Sequence, residues 1–285
     1  MAKTGPQRYP GASTGYWYGS KYPGSAMESN VVVWHTTEGT SLPAYDGGSM
    51  APNFTAVPDF KAKRLVWYQH FDFDSSSRAL VNRAGGVETN TLNAVQVELV
   101  GTCDPTAHKR WGTKAHLYTA DLPDWVIRDL GAFARWARDH HSVPLTSGQT
   151  FVAYPASYGA TKTRMANAEW LAFKGHCGHQ HVPENDHGDP GTFPIAAVLA
   201  AATGTTTTPT EEDPMAGYSK RDIAGATWDE DMVPAPEFAP DYAKNKFWKP
   251  SAYLRSIYNA VITIRDELRA VRTAVDALTK SIKES

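Results

Sequence analysis

Between Gly178 and Gly191 the chain reads Gly-His-Gln-His-Val-Pro-Glu-Asn-Asp-His-Gly-Asp-Pro-Gly. No apolar run at helical or strand spacing interrupts it, so it can form neither a core strand nor an amphipathic helix. It must be a loop, and one dense in imidazole and carboxylate. Such loops hold metal ligands and catalytic groups when a rigid scaffold positions them. Taken alone, the segment is equally well a polar surface loop, and other features have to decide.

Two strand patterns bear on the choice. Val31-Val32-Val33-Trp34 is a short β-branched apolar run, which predicts a buried strand ending in His35 and broken by Thr36-Thr37-Glu38-Gly39. A His in that place is held on a rigid element while its ring reaches a cleft. In Asn93-Ala94-Val95-Gln96-Val97-Glu98-Leu99-Val100-Gly101, Val95, Val97 and Leu99 alternate with Gln96 and Glu98. That period of two sets Glu98 on the face opposite its apolar neighbours, close to the strand end.

Together these pieces resemble the zinc-dependent N-acetylmuramoyl-L-alanine amidases of the type 2 family, which includes phage endolysins and shares its fold with peptidoglycan recognition proteins. The likeness runs over residues 28 to 202. It rests on His35 at a strand end before Thr36-Thr37, on Glu98-Leu99-Val100-Gly101, and on Gly178-His179 followed by Asp189-Pro190-Gly191. It implies Zn2+ as cofactor, held by His35, His179 and Asp189, with Glu98 as general base. His187 stands where the family often carries a Lys facing the reacting carbonyl, and is the expected oxyanion partner. Phe54 occupies the place where some members have an assisting Tyr, which shifts the catalytic burden to Glu98. His181 is the rival to His179 as ligand, and Cys177 is a further rival. Tyr154 and Tyr158 sit in a Gly/Pro/Ser-bounded loop that could floor a sugar or peptide groove.

The implied chemistry is consistent with the donor types. Three protein ligands leave a tetrahedral ion a fourth position for water, whose pKa falls to about 7 in such sites. The expected activity is hydrolysis of the amide between N-acetylmuramic acid and L-alanine, with bacterial peptidoglycan as partner. The alternatives are a non-catalytic peptidoglycan-binding module of the same fold, a zinc peptidase acting within the stem peptide, and an assembly protein whose tail is its main function.

Composition narrows the field. A net charge of −2 over 285 residues offers no basic field for nucleic acid. No apolar run approaches the roughly 20 residues of a membrane span. The first residues lack the apolar stretch of a secretory signal. With the resemblance, this gives the expectation of a lysin held in the host cytoplasm until a membrane pore releases it to the cell wall. Two cysteines, Cys103 and Cys177, make no disulfide framework, and reduced thiols are expected although pairing stays open.

The expected architecture is α/β: a single central mixed β-sheet flanked by helices, plus a C-terminal helical coiled-coil tail. Strands are predicted near 30–35, 53–58, 64–71 and 93–100, and helices over 122–141 and 194–202. The chain divides into an extended arm (1–27), the zinc amidase domain (28–202), a Thr/Pro/acidic linker (203–226), a Pro/aromatic segment (227–250) and the tail helix (251–285). In the tail, Leu254, Ile257, Val261, Ile264, Leu268, Val271, Val275, Leu278 and Ile282 recur in steps of three and four. That is a heptad a/d seam, with Glu267 at g and Arg272 at the following e. It predicts homo-oligomers through the C-terminal helix, with the number of copies open.

Overall fold

The computed structural model describes residues 3–204, 233–235, 243–244 and 247–284. Contacts divide the chain into two units, Met1–Thr207 and Thr208–Ser285.

The first unit is built on five strands: β1 (Val31–Thr36), β2 (Phe54–Asp59), β3 (Arg64–Gln69), β4 (Ala94–Leu99) and β5 (Gly175–Gly178). Their spatial order is β3-β2-β4-β1-β5. The β2–β3 pair is antiparallel, and β2–β4, β4–β1 and β1–β5 are parallel, so the sheet is mixed as expected. The helices are α1 (Pro105–Trp111), α2 (Asp124–His141), α3 (Asn167–Ala172) and α4 (Ile195–Thr203). The four predicted strands and two predicted helices lie within two residues of these bounds. The sequence reading missed β5, α1 and α3. β5 is the instructive omission: Gly-His-Cys-Gly has no apolar run, yet all four residues are buried because neighbours cover both faces.

Period-two alternation sorts the strand residues onto two faces. Val32, Trp34, Phe54, Ala56, Trp67, Val95, Val97 and Leu99 face α2 and α4, where Val126, Leu130, Phe133, Trp136 and Val198 complete the larger core. Trp67 stacks on Phe133 with centroids 4.7 Å apart. The helices approach closely where α2 carries Gly131. A Cβ there would lie 2.6 Å from Ala201 Cβ and 3.0 Å from two backbone atoms of α4, so the crossing needs a residue without one. On the opposite face Val31, Val33, Ala94 and Cys177 pack with Leu80, Met165, Val182 and Trp170 of α3.

The arm does more than cross the surface. Ser13 exchanges backbone hydrogen bonds with Trp67 and Gln69, which covers the outer edge of β3. Tyr9 inserts its ring among Phe54, Trp67, Phe133 and Trp136 at 5.1–6.5 Å, and Met27 is fully buried. The fully buried Asp74 fastens the arm: its carboxylate accepts from Thr4 N (2.8 Å), Gln7 Nε2 (2.9 Å) and Ser29 N (3.2 Å).

In the second unit, the two-residue strands β6 (Val233–Pro234) and β7 (Phe247–Trp248) pair antiparallel, and α5 runs over Pro250–Glu284. The linker beyond Gly204 and most of the Pro/aromatic segment lie outside the described residues. Among the described residues, no helix is long and apolar enough to cross a membrane.

Candidate metal centre

The parallel pairing of β1 with β5 sets their carboxyl ends side by side. Trp34 is in register with Gly178, so the next residues, His35 and His179, become neighbours although 144 positions separate them. A 3-10 turn over His179–His181 then directs the chain into the loop that brings Asp189 back to them. His35 Nδ1 lies 3.0 Å from His179 Nδ1 and 3.4 Å from Asp189 Oδ2, and His179 Nδ1 lies 3.2 Å from Asp189 Oδ1. All three side chains are buried, and they form a group able to hold a metal ion.

The spacing is informative. An ion with tetrahedral bonds of about 2.0–2.1 Å sets its ligand atoms about 3.3 Å apart. The three observed separations bracket that value. Two imidazole nitrogens at 3.0 Å need either a proton or a shared cation between them.

Protonation suits the same use. Burial, and then the neighbouring His179, push the His35 imidazole down to about 4, so the ring is neutral near pH 7. Burial opposes ionisation of Asp189, but His179 and His35 outweigh it and hold its carboxyl well below the ordinary carboxylate range. The centre thus offers a free imidazole lone pair and one negative charge.

Surrounding hydrogen bonds orient the ligands. His179 Nε2 lies 3.1 Å from Asn185 Oδ1, and the Asn185 amide is itself oriented by donating to Pro183 O (2.9 Å). His179 therefore donates from Nε2 and presents the bare Nδ1 to the centre. The Thr36 backbone N–H donates to Asp189 Oδ2 at 3.2 Å. Among the described residues His35 has no such brace: its Nε2 is buried without a partner there. Arg164 ties the loop together by donating to the carbonyls of Gly159, His179, Val182 and His187. Sequence reasoning missed Arg164 and Asn185, because their partners are backbone carbonyls and a ring that only the folded loop brings near.

The rival ligands His181 and Cys177, and the neighbouring His176, are placed elsewhere. His181 accepts from Gly178 N–H at Nδ1 (2.8 Å) and donates from Nε2 to Thr150 O (3.1 Å), which leaves no lone pair for an ion. His176 accepts from Trp34 Nε1 at 3.3 Å and stacks on that indole. Cys177 packs in the smaller core, and both cysteines are buried free thiols.

Glu98 and Thr55 flank the centre. Across β2-β4-β1 the register aligns Thr55, Glu98 and His35, so their side chains share one face. Glu98 is half-buried. Burial, and then the charges of Asp189 and Glu38, push its carboxyl up to about 8. A cation among the His35, His179 and Asp189 atoms would oppose that push. Phe54, expected near the site, is fully buried in the core on the other face. The site-facing residue of β2 is Thr55, and it carries a chain of hydrogen bonds that the sequence did not disclose. His70 Nδ1 lies 2.8 Å from Tyr16 O, which can only accept, so His70 Nε2 is an acceptor. Thr55 Oγ1 then donates to His70 Nε2 (2.9 Å), and the Tyr45 hydroxyl donates to Thr55 Oγ1 (2.7 Å). The Tyr45 hydroxyl thereby spends its only proton within this chain of bonds. Burial, and then the Glu98 charge, hold its hydroxyl in the protonated state.

His187 stands at the mouth. Its side chain is 71 % exposed, its ring stacks on His179 at 4.8 Å, and its Nδ1 lies 3.8 Å from Asp189 Oδ1. Tyr154 and Tyr158 lie with ring centroids 6.2 Å apart, Tyr158 being exposed.

No protein-family model matches the chain, and no curated protein does. Among solved structures, a mutant endolysin from Bacillus subtilis matches with 14 % identity and a TM-score of 0.27, over 43 % of this chain and 70 % of that one.

Proposed function

We propose that the first unit is a zinc-dependent peptidoglycan hydrolase that cleaves the amide between N-acetylmuramic acid and L-alanine. The observation that carries this reading is the convergence of His35 Nδ1, His179 Nδ1 and Asp189 at 3.0–3.4 Å, with Glu98 in register beside His35. The amidase-like order of these residues in the chain, with His179 following a glycine and Asp189 preceding Pro190-Gly191, supports the choice of bond.

His35, His179 and Asp189 would hold the ion. Two neutral nitrogens and one carboxylate oxygen are a donor set that zinc accepts. The ion would supply Lewis acidity to a water and to the scissile carbonyl. Glu98, in register beside His35, would serve as the base toward that water and as the acid toward the leaving nitrogen. Beside a cation the Glu98 carboxyl would be drawn down from the raised value that burial, Asp189 and Glu38 give it, toward the ionised form that a base needs. His187, exposed at the mouth and stacked on His179, would donate an N–H to the oxygen of the attacked carbonyl. It carries less charge at neutral pH than a Lys would. Partial desolvation against the loop, and then the neighbouring His179, lower its imidazole pKa although the side chain reaches solvent, so this contribution grows as pH falls.

Mass spectrometry of digested cell wall tests the assignment. The expected products are muramoyl sugars free of peptide and peptides that begin with L-alanine. Cuts between stem-peptide residues would instead identify a peptidase, and an intact wall a binding module. His179→Ala should abolish both zinc retention and digestion.

A further inference from the structure

We propose that α5 is an assembly surface on which three or four copies of this chain form a parallel coiled coil. The helix runs 35 residues, a length of about 50 Å. Leu254, Val261, Leu268 and Val275 fall at heptad position a, and Ile257, Ile264 and Val271 at d. Every one of these side chains is between 49 % and 63 % exposed. The stripe is two residues per seven, the width of a coiled-coil seam rather than of a helix lying on a globular core.

Charge selects a second copy as the occupant and sets its direction. Glu267 at g meets Arg272 at the e position of a parallel neighbour, an attractive pair. Among the described residues neither has an ion-pair partner within its own helix, where Arg265 and Arg269 instead engage Asp266. An antiparallel neighbour would bring e against e, facing Arg265 and Arg272 with like charges. The d positions set the number of copies. Three of the four d residues, Ile257, Ile264 and Val271, are β-branched, Leu278 being the exception, and two of their heptads carry Leu at a. A β-branched residue at d packs poorly between two helices and better among three or four. This proposal is independent of the reading of the metal centre.

Sedimentation equilibrium of the full chain at micromolar concentration tests it. The expected mass is three or four times 31.2 kDa, and Leu268→Asp should reduce it to a single chain. Glu267→Arg should weaken association at least tenfold, and adding Arg272→Glu should restore it, a result that loss of helix alone would not give. Leu254→Cys should form a disulfide between copies under mild oxidation, because parallel a positions face each other. A mass of one or two chains, an assembly indifferent to Leu268→Asp, or no cross-link through Leu254→Cys would overturn the proposal.

Discussion

At the residue scale, the candidate centre depends on which ring nitrogens are free. His179 and His181 are two positions apart and chemically identical in sequence. Their partners separate them: the His181 nitrogens are spent on Gly178 N–H and Thr150 O, whereas His179 has only Nε2 occupied, by Asn185. This gives Asn185 a specific role. Asn185→Ala should weaken metal affinity by about 10- to 100-fold, the usual effect of losing the partner that orients a ligating imidazole. Competition with a chromophoric chelator measures it, and an unchanged affinity would remove Asn185 from the support of the site. Glu98→Gln keeps the side-chain shape and removes the basic carboxylate. It should retain one metal per chain while turnover on cell wall falls by about 100-fold or more. A near-native rate with full metal content would show that the proton is carried by another group.

At the scale of elements, two contacts decide how the layers are held. Gly131 sits where α2 crosses α4. Gly131→Ala would gain about 1 kcal/mol in helix propensity, but the new Cβ meets backbone atoms of α4 that cannot rotate away. Overpacking of this kind costs about 1–3 kcal/mol. Urea unfolding should therefore show a net loss of about 1 kcal/mol; a gain would mean that the helices separate freely. Asp74 joins the arm to the sheet. Burial raises its carboxyl, but contacts from His141, Gln7, Thr4 and Ser29 outweigh burial and bring it down to about 2 from an ordinary 3.8. A group depressed on folding contributes stability that is present above its unfolded pKa and is lost as pH falls through the folded one. The contribution here is about 2 kcal/mol, lost between about pH 4 and pH 2. Asp74→Asn should flatten the acid limb of the stability curve over that window. An acid limb as steep as that of the wild type would place the transition on other carboxylates.

At the scale of the whole molecule, the two units differ in how they are stabilised. The first contains the five-stranded sheet, the hydrophobic clusters packed on its two faces and every residue of the candidate centre. A chain ending at residue 207 should therefore fold alone, keep a single cooperative thermal transition and bind metal with unchanged stoichiometry. Calorimetry and metal analysis check this. Loss of either property would show that the centre depends on residues beyond Thr207. The second unit presents in α5 a long helix whose apolar seam is exposed along its described length, and a helix of that kind is stabilised chiefly by burying its seam.

Local patterns were sufficient to identify most elements and the residue types of the centre. The β-branched run before His35, the alternation around Glu98 and the heptad spacing of α5 are short-range signals, legible because side-chain direction repeats with a fixed period along strand and helix. The sequence order of His35, Glu98, His179 and Asp189 carried the family likeness. Tertiary structure decided what depends on distance across the fold. The β1–β5 pairing that joins His35 to His179 was hidden, because β5 is covered on both faces and has no alternation. So were the choice of His179 over His181, the brace from Arg164, and the replacement of Phe54 by Thr55, with Tyr45 and His70 behind it, at the site face. A hydrogen bond between residues far apart in the chain leaves no periodic trace in either segment. Which lone pairs remain for an ion is therefore settled only when the strands are paired and the loop has closed.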